Sequence, residues 1–175
     1  MRAVVVTALM WSLAAWGEER VPEGLGLMVM LKVVSYDTAF AQHGSGDFVV
    51  LVPFAPGQEA KATALAAVGE KLEVKSIKER ALRFVVVPLS ELDAKKPTAV
   101  LLYDDFPTDA LKQTLDRARG LKVYVLSLDE VAVQRGAVLG VGLANGKPQP
   151  LINIASARAL GADFGAVLRL AKTFQ

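Results

Sequence analysis

The sequence predicts an α/β domain: a three-layer αβα sandwich with a mostly parallel sheet and an antiparallel edge hairpin. Three observations predict it. Apolar, β-branched runs alternate with helical patterns through residues 47–136, which calls for parallel strands joined by crossover helices. One of those runs, Phe48-Val49-Val50-Leu51-Val52, has no polar face, as a strand covered on both sides requires. Between two later apolar runs stands Asn145-Gly146, a dipeptide that suits a tight hairpin.

The elements follow in order. Pro22 marks the first turn of a helix over 22–35, with Leu25, Met28, Leu31 and Val34 as its inner stripe. Lys32 is its only charge past the first turn, so the helix is apolar on nearly every side. Gly44-Ser45-Gly46 makes a loop, and residues 47–53 a buried strand. Pro56-Gly57 breaks the chain before a helix over 58–72, whose inner face carries Leu65, Val68 and Leu72. Residues 74–77 and 82–87 read as strands, the second ended by Pro88, and Ser90 caps a turn of helix. The strand at 98–103 leads through Asp104-Asp105-Phe106-Pro107 into a helix over 108–119 that Gly120 stops. Residues 121–126 form a strand, and Ser127-Leu128-Asp129-Glu130 opens a short helix that Gly136 closes. Strands at 138–143 and 151–154 flank Asn145-Gly146. A last helix carries Phe164, Val167, Leu168 and Ala171 on one face, with Arg169 and Lys172 near its end.

Composition bounds the function. The chain has 175 residues, 53% of them hydrophobic, enough to hide roughly 70% of its unfolded surface in one domain. Twenty basic residues face eighteen acidic ones, with no long run of either sign, so nothing marks a nucleic-acid binder. With no cysteine and a single histidine, His43, thiol chemistry and Cys- or His-rich metal sites are excluded. No cofactor motif stands out. Gly140-Val141-Gly142-Leu143-Ala144-Asn145-Gly146-Lys147 offers glycines and a Gly-Lys, but in a hairpin, and Pro148 replaces the hydroxyl residue a phosphate loop needs.

The N-terminus resembles a secretory signal peptide. Arg2 is followed by fourteen uncharged residues, with Ala15 and Gly17 at the small positions before a cut after Gly17. As a helix those fourteen residues would span ~21 Å against a hydrocarbon core of ~30 Å. Residues 1–17 are therefore read as a cleaved leader and 18–175 as one exported, periplasmic domain with no stable membrane insertion.

Three segments together resemble the YfiR family of secreted bacterial proteins. They are Leu27-Met28-Val29-Met30-Leu31-Lys32-Val33-Val34-Ser35-Tyr36-Asp37 running on to Phe48-Val49-Val50-Leu51-Val52, then Ala99-Val100-Leu101-Leu102-Tyr103, and the ending. That ending is Gly140-Val141-Gly142-Leu143-Ala144-Asn145-Gly146-Lys147-Pro148, Leu151-Ile152-Asn153-Ile154-Ala155-Ser156-Ala157-Arg158 and Leu168-Arg169-Leu170-Ala171-Lys172. The resemblance implies a non-enzymatic periplasmic domain that regulates the sensor region of an inner-membrane protein. In one branch that partner is a diguanylate cyclase, and other members associate with histidine kinases. Without cysteine, disulfide-based redox control is out of reach for this chain.

Two regions are candidates for binding. In the first helix, Leu27 and Met30 lie off the Leu25/Met28/Leu31 stripe and are assigned its outward side, for a membrane partner or a second copy of the chain. At the C-terminal ends of the strands, Phe54, Asp104 and Asp105 outline a crevice where an open parallel sheet binds ligands, and paired acids there suit a cation or a basic solute. The alternative function is accordingly a small exported solute-binding domain. His43 has Asp37 and Ser45 nearby in sequence, but the three share one loop and give no convergent nucleophile and base, so His43 reads as a solvent-exposed loop residue. N-terminal sequencing of periplasmic protein is expected to begin at Glu18; cytosolic protein retaining Met1 would contradict the export reading.

Overall fold

The computed structural model describes residues 20–175, so the leader assigned to 1–17 lies outside the described residues. Eight strands form one sheet in the order β2-β3-β1-β4-β5-β6-β7-β8. They are β1 Phe48–Phe54, β2 Ser76–Ile77, β3 Arg80–Pro88, β4 Ala99–Leu102, β5 Tyr124–Ser127, β6 Leu139–Ala144, β7 Lys147–Asn153 and β8 Lys172–Phe174. The helices are α1 Glu23–Ser35, α2 Glu59–Glu70, α3 Thr108–Leu121, α4 Glu130–Gln134 and α5 Ile154–Leu160, with 3-10 segments at Phe40–Gln42 and Leu89–Lys95.

The central strands β3, β1, β4, β5 and β6 are parallel, while β2 pairs antiparallel with β3 and β7 antiparallel with β6. The chain steps from β1 to β3 in one direction, then returns past β1 to β4 and continues outward. Right-handed crossovers therefore put α2 on one face of the sheet and α3 and α4 on the other. Helix α1 packs on β6, β7 and α2, completing the α2 layer. The α/β sandwich that the sequence predicts is the architecture observed.

The sequence patterning accounts for the central strands. All four residues of β4 and of β5 are buried, as is most of β1. Asn145 and Gly146 both take positive φ, 53° and 72°, as a two-residue hairpin turn demands, and Ala144 pairs with Lys147 across it. Two glycines let the α2 layer approach the sheet. A Cβ on Gly26 of α1 would sit 2.7 Å from Leu128 and 2.8 Å from Val141, and one on Gly69 of α2 would sit 2.6 Å from the Phe84 ring.

Four expectations are corrected. The final helix is absent: residues 165–170 form successive turns, and the chain ends in β8, parallel to β7 and outside it. The hairpin is thus one strand in from the edge, since Thr173 and Phe174 pair with Ile152 and Asn153. Ser90 caps nothing; its 3-10 segment follows Pro88 without a side-chain cap. Helix α3 runs past Gly120 and ends at Lys122 in the left-handed conformation.

The fourth correction concerns α1. Leu27 and Met30, assigned the outward side, are fully buried, whereas Leu25 and Met28 are 38% exposed. The reason is geometric. Each step of three residues falls about 60° short of a full turn, so a 25/28/31/34 series drifts across half the helix. The set 27, 30, 31 and 34 keeps to one face, and that face packs on the sheet.

Met30→Glu, which places a carboxylate where exposure is 0%, is expected to unfold the domain, and Met30→Ala to cost about 2–5 kcal/mol in urea melts. Met28→Glu should change stability by no more than about 0.5 kcal/mol. Equal tolerance of the two charges would reverse the assignment of the buried face.

Candidate docking face and its buried latch

The exposed side of α1 and the turns before β8 enclose an apolar groove of about 470 Å³. Leu25, Met28, Val29, Lys32, Val33 and Tyr36 come from α1; Ala166, Val167 and Leu170 form the opposite wall, and Pro150 of β7 lies between. Large apolar side chains stand open here, with Leu170 71% and Tyr36 47% exposed. Lys32 places its ammonium 5.2 Å from the centre of the Tyr36 ring. Contiguous apolar surface of this kind marks interaction sites.

The two walls of the groove are tied together at its lower end by Asp37, which is fully buried. Its Oδ1 accepts the backbone N–H of Ala39 and of Asp163, each at 2.8 Å. Its Oδ2 accepts the Tyr124 hydroxyl at 2.5 Å. Around this carboxylate, Thr38 donates its N–H to the Asp163 carbonyl at 3.1 Å and its hydroxyl to Asp163 Oδ2 at 2.8 Å. Lys78 reaches the Asp37 carbonyl at 2.9 Å. One residue thus joins the end of α1, the start of β5, the β2–β3 turn and the C-terminal segment.

His43, expected to be exposed, is buried: its side chain is 5% accessible, with Nε2 3.2 Å from Asp37 Oδ2. Its ring meets Tyr124 edge-on, centroids 4.9 Å apart. Burial pushes the His43 pKa below its usual value, against the opposing pull of Asp37. Burial, helped by the hydrogen bond to Asp37, raises the Tyr124 phenol far above its ordinary range. Burial thus favours the neutral form of both groups beside one buried carboxyl, whose oxygens are already engaged. Ser45 takes no part in the cluster. The arrangement serves as a latch, with no nucleophile facing solvent.

The crevice at the C-terminal edge is present but displaced. Asp104 and Asp105 line a cleft of about 550 Å³ with Arg20, Asp129 and Glu130, between the ends of β4, β5 and β6. Three of the four acids are engaged within the fold: Asp104 pairs with Arg20 at 3.2 Å, Glu130 pairs with Lys172 at 2.7 Å, and Asp129 caps α4. Phe54 does not join them. The ends of β1 and β4 are closed by side chains: Tyr103 and Phe106 are buried with ring centres 4.9 Å apart, and Phe54 packs against the core. Among the described residues no group of acids and histidines has the grouping to hold a metal, and no helix is long and apolar enough to cross a membrane.

No family model and no curated protein matches the sequence. Solved structures do match the fold. The chain is similar to the ABC domain in complex with L-Trp from Streptococcus pneumonia, with a TM-score of 0.55 and 13% identity. It is also similar to a conserved domain protein from Vibrio cholerae o1 biovar eltor, with a TM-score of 0.58 and 16% identity. Each match covers 88% of this chain and 60% of the other, so the chain spans three fifths of the length of the proteins it matches. At these identities the likeness establishes the α/β fold.

Tyr124→Phe leaves Asp37 short of one donor and should cost about 1–3 kcal/mol; Asp37→Ala, which orphans several buried donors, should cost at least as much. The latch also sets a pH dependence. His43 has a folded pKa below its unfolded one, so at low pH the unfolded chain binds a proton that the native state refuses. Stability is therefore expected to fall as pH drops below about 6.5, and His43→Gln should flatten that part of the profile. A steep wild-type profile unchanged in His43→Gln would place the titration elsewhere.

Proposed function

We propose that this chain is a non-enzymatic binding domain that works by docking its α1 face on a protein, and that it acts in the periplasm. The observation that carries the reading is the open apolar groove between α1 and residues 166–170. Leu25, Met28, Tyr36 and Leu170 remain exposed there while Leu27, Met30, Leu31, Val33 and Val34 of α1 are buried. A surface that only had to stay dissolved would carry polar groups at these positions. The partner proposed is the sensor region of an inner-membrane diguanylate cyclase or histidine kinase, as the resemblance to the YfiR family implies. A second copy of the chain is the other occupant the groove could take. A rigid groove suits such docking. The latch at Asp37 fixes both walls beforehand, so association orders few new groups and loses little entropy.

A second reading, solute capture, is favoured by one observation. The acidic cleft at Asp104 and Asp105 lies at the strand ends where such sheets bind ligands, and the Streptococcus protein of similar fold is in complex with L-Trp. Its carboxylates favour a cationic solute. Regulation and capture respond to different changes. Met28→Glu and Leu170→Glu are expected to keep the melting temperature yet lower affinity for the inner-membrane partner tenfold or more, a loss of about 1.4 kcal/mol. Asp105→Asn should leave that affinity untouched. If instead Asp105→Asn abolishes saturable binding of a basic amino acid, measured calorimetrically, while the groove variants behave as wild type, capture is the function and docking is not.

A further inference from the structure

The opposite, N-terminal edge of the sheet holds a second cleft, of about 570 Å³, walled by residues 42–47, 96–98, 121–123 and 158–161. Its charge is one-sided. Arg80, Lys96, Lys122 and Arg158 line it against a single acid, Asp47. We propose that this cleft binds a small phosphate-class oxyanion, anchored by Arg80 and enclosed by Lys96, Lys122 and Arg158.

Arg80 is built as an anchor. Its Nε donates to the Gly46 carbonyl at 2.7 Å and one Nη to the His43 carbonyl at 3.3 Å. The other Nη donates to the Asp47 carbonyl at 3.0 Å and to Thr98 Oγ1 at 2.8 Å. The guanidinium also lies 5.3 Å and 5.5 Å from the centres of the Phe40 and Phe48 rings. Of five N–H donors, four are engaged and one Nη–H is left over. All four acceptors are uncharged. Among the described residues no carboxylate lies within ion-pair distance of Arg80, because the Asp47 side chain is committed to Arg83. A half-buried, rigidly held guanidinium whose neighbouring carboxylate, Asp47, is already paired with Arg83 favours a bound oxyanion.

The surrounding cations point the same way. The side chains of Lys96, Lys122 and Arg158 make no hydrogen bond or ion pair with any described residue. Lys96 and Lys122 both adopt left-handed backbone, φ 42° and 54°, at positions where glycine would avoid a cost of roughly 1–2 kcal/mol. Part of this positive charge complements the C-terminal ends of α3 and α5, each worth about half a negative charge. Four cations against one acid and two half-charges still leave the cleft positive.

Pyrophosphate titrated into the purified protein by calorimetry at low salt is the test. Saturable binding is expected, weakening as salt is added, and at least tenfold weaker in the Lys96→Gly/Lys122→Gly variant. That variant removes two charges while relieving two left-handed side chains, so it should melt no lower than wild type. Arg158→Gln gives the same reading if the double variant fails to fold, and Lys112→Ala on the outer face of α3 should bind as wild type does. Three results would overturn the proposal: no binding at millimolar pyrophosphate, equal affinity in the cleft variants, or association with phosphatidylglycerol vesicles in flotation without any binding of pyrophosphate.

Discussion

The carboxyl group of Asp37, without solvent contact, is the interaction on which the α1 face of this protein depends. It gathers Tyr124 from the sheet, Ala39 from the loop after α1 and Asp163 from the C-terminal segment. A carboxyl group in such surroundings is tolerable only when its hydrogen-bonding positions are filled, and losing any partner leaves a costly vacancy. That requirement fixes where α1 ends and where the last segment starts. The groove between Met28 and Leu170 follows from it, because Asp37 and the adjoining Thr38–Asp163 hydrogen bonds tie its two walls together.

The parallel sheet imposes a second order on the surface. Crossover helices run antiparallel to their strands, so helix N-termini gather at one edge of the sheet and C-termini at the other. Acids collect at the first edge, where Asp129 caps α4 and Asp109 lies in the first turn of α3. Bases collect at the second, at Lys96, Lys122 and Arg158. Each edge thereby becomes a cleft of opposite charge, while the apolar groove lies on a flank of the domain. The acidic cleft largely satisfies itself through ion pairs and caps. The basic cleft does not, and this asymmetry distinguishes them as binding surfaces.

Most of the architecture was legible in the sequence, for physical reasons that also explain the misses. Strands β1, β4 and β5 are buried on both faces, so their apolar runs are unbroken, and the Asn-Gly turn is dictated by its positive φ values. The inward face of α1 was misread because an apolar helix gives no contrast: with nearly every position hydrophobic, a drifting series of three looks as good as the true face at 27, 30, 31 and 34. The last segment has helical spacing at Phe164, Val167 and Leu168, yet Phe164 and Val167 are buried in turns and Lys172–Phe174 adds a strand to β7. Tertiary pairing won over local pattern there. Least legible was the latch. Tyr124 and Asp163 are far in sequence from Asp37 and His43, and an aspartate shortly before a Gly-Ser-Gly loop carries no sign that it will be buried. The one available signal was the lone His43 near Asp37, and it pointed to a loop pair rather than to a core cluster.

The central claim is that the α1 groove is the surface through which the protein acts. Photo-crosslinking in cells tests it directly, with a photoreactive amino acid placed at Met28, at Leu170, and at Lys112 on the opposite face. The account predicts crosslinks from Met28 and Leu170 to one inner-membrane protein with a periplasmic sensor region, and none from Lys112. Crosslinks from Lys112 alone, or from none of the three in cells where the partner is present, would contradict it.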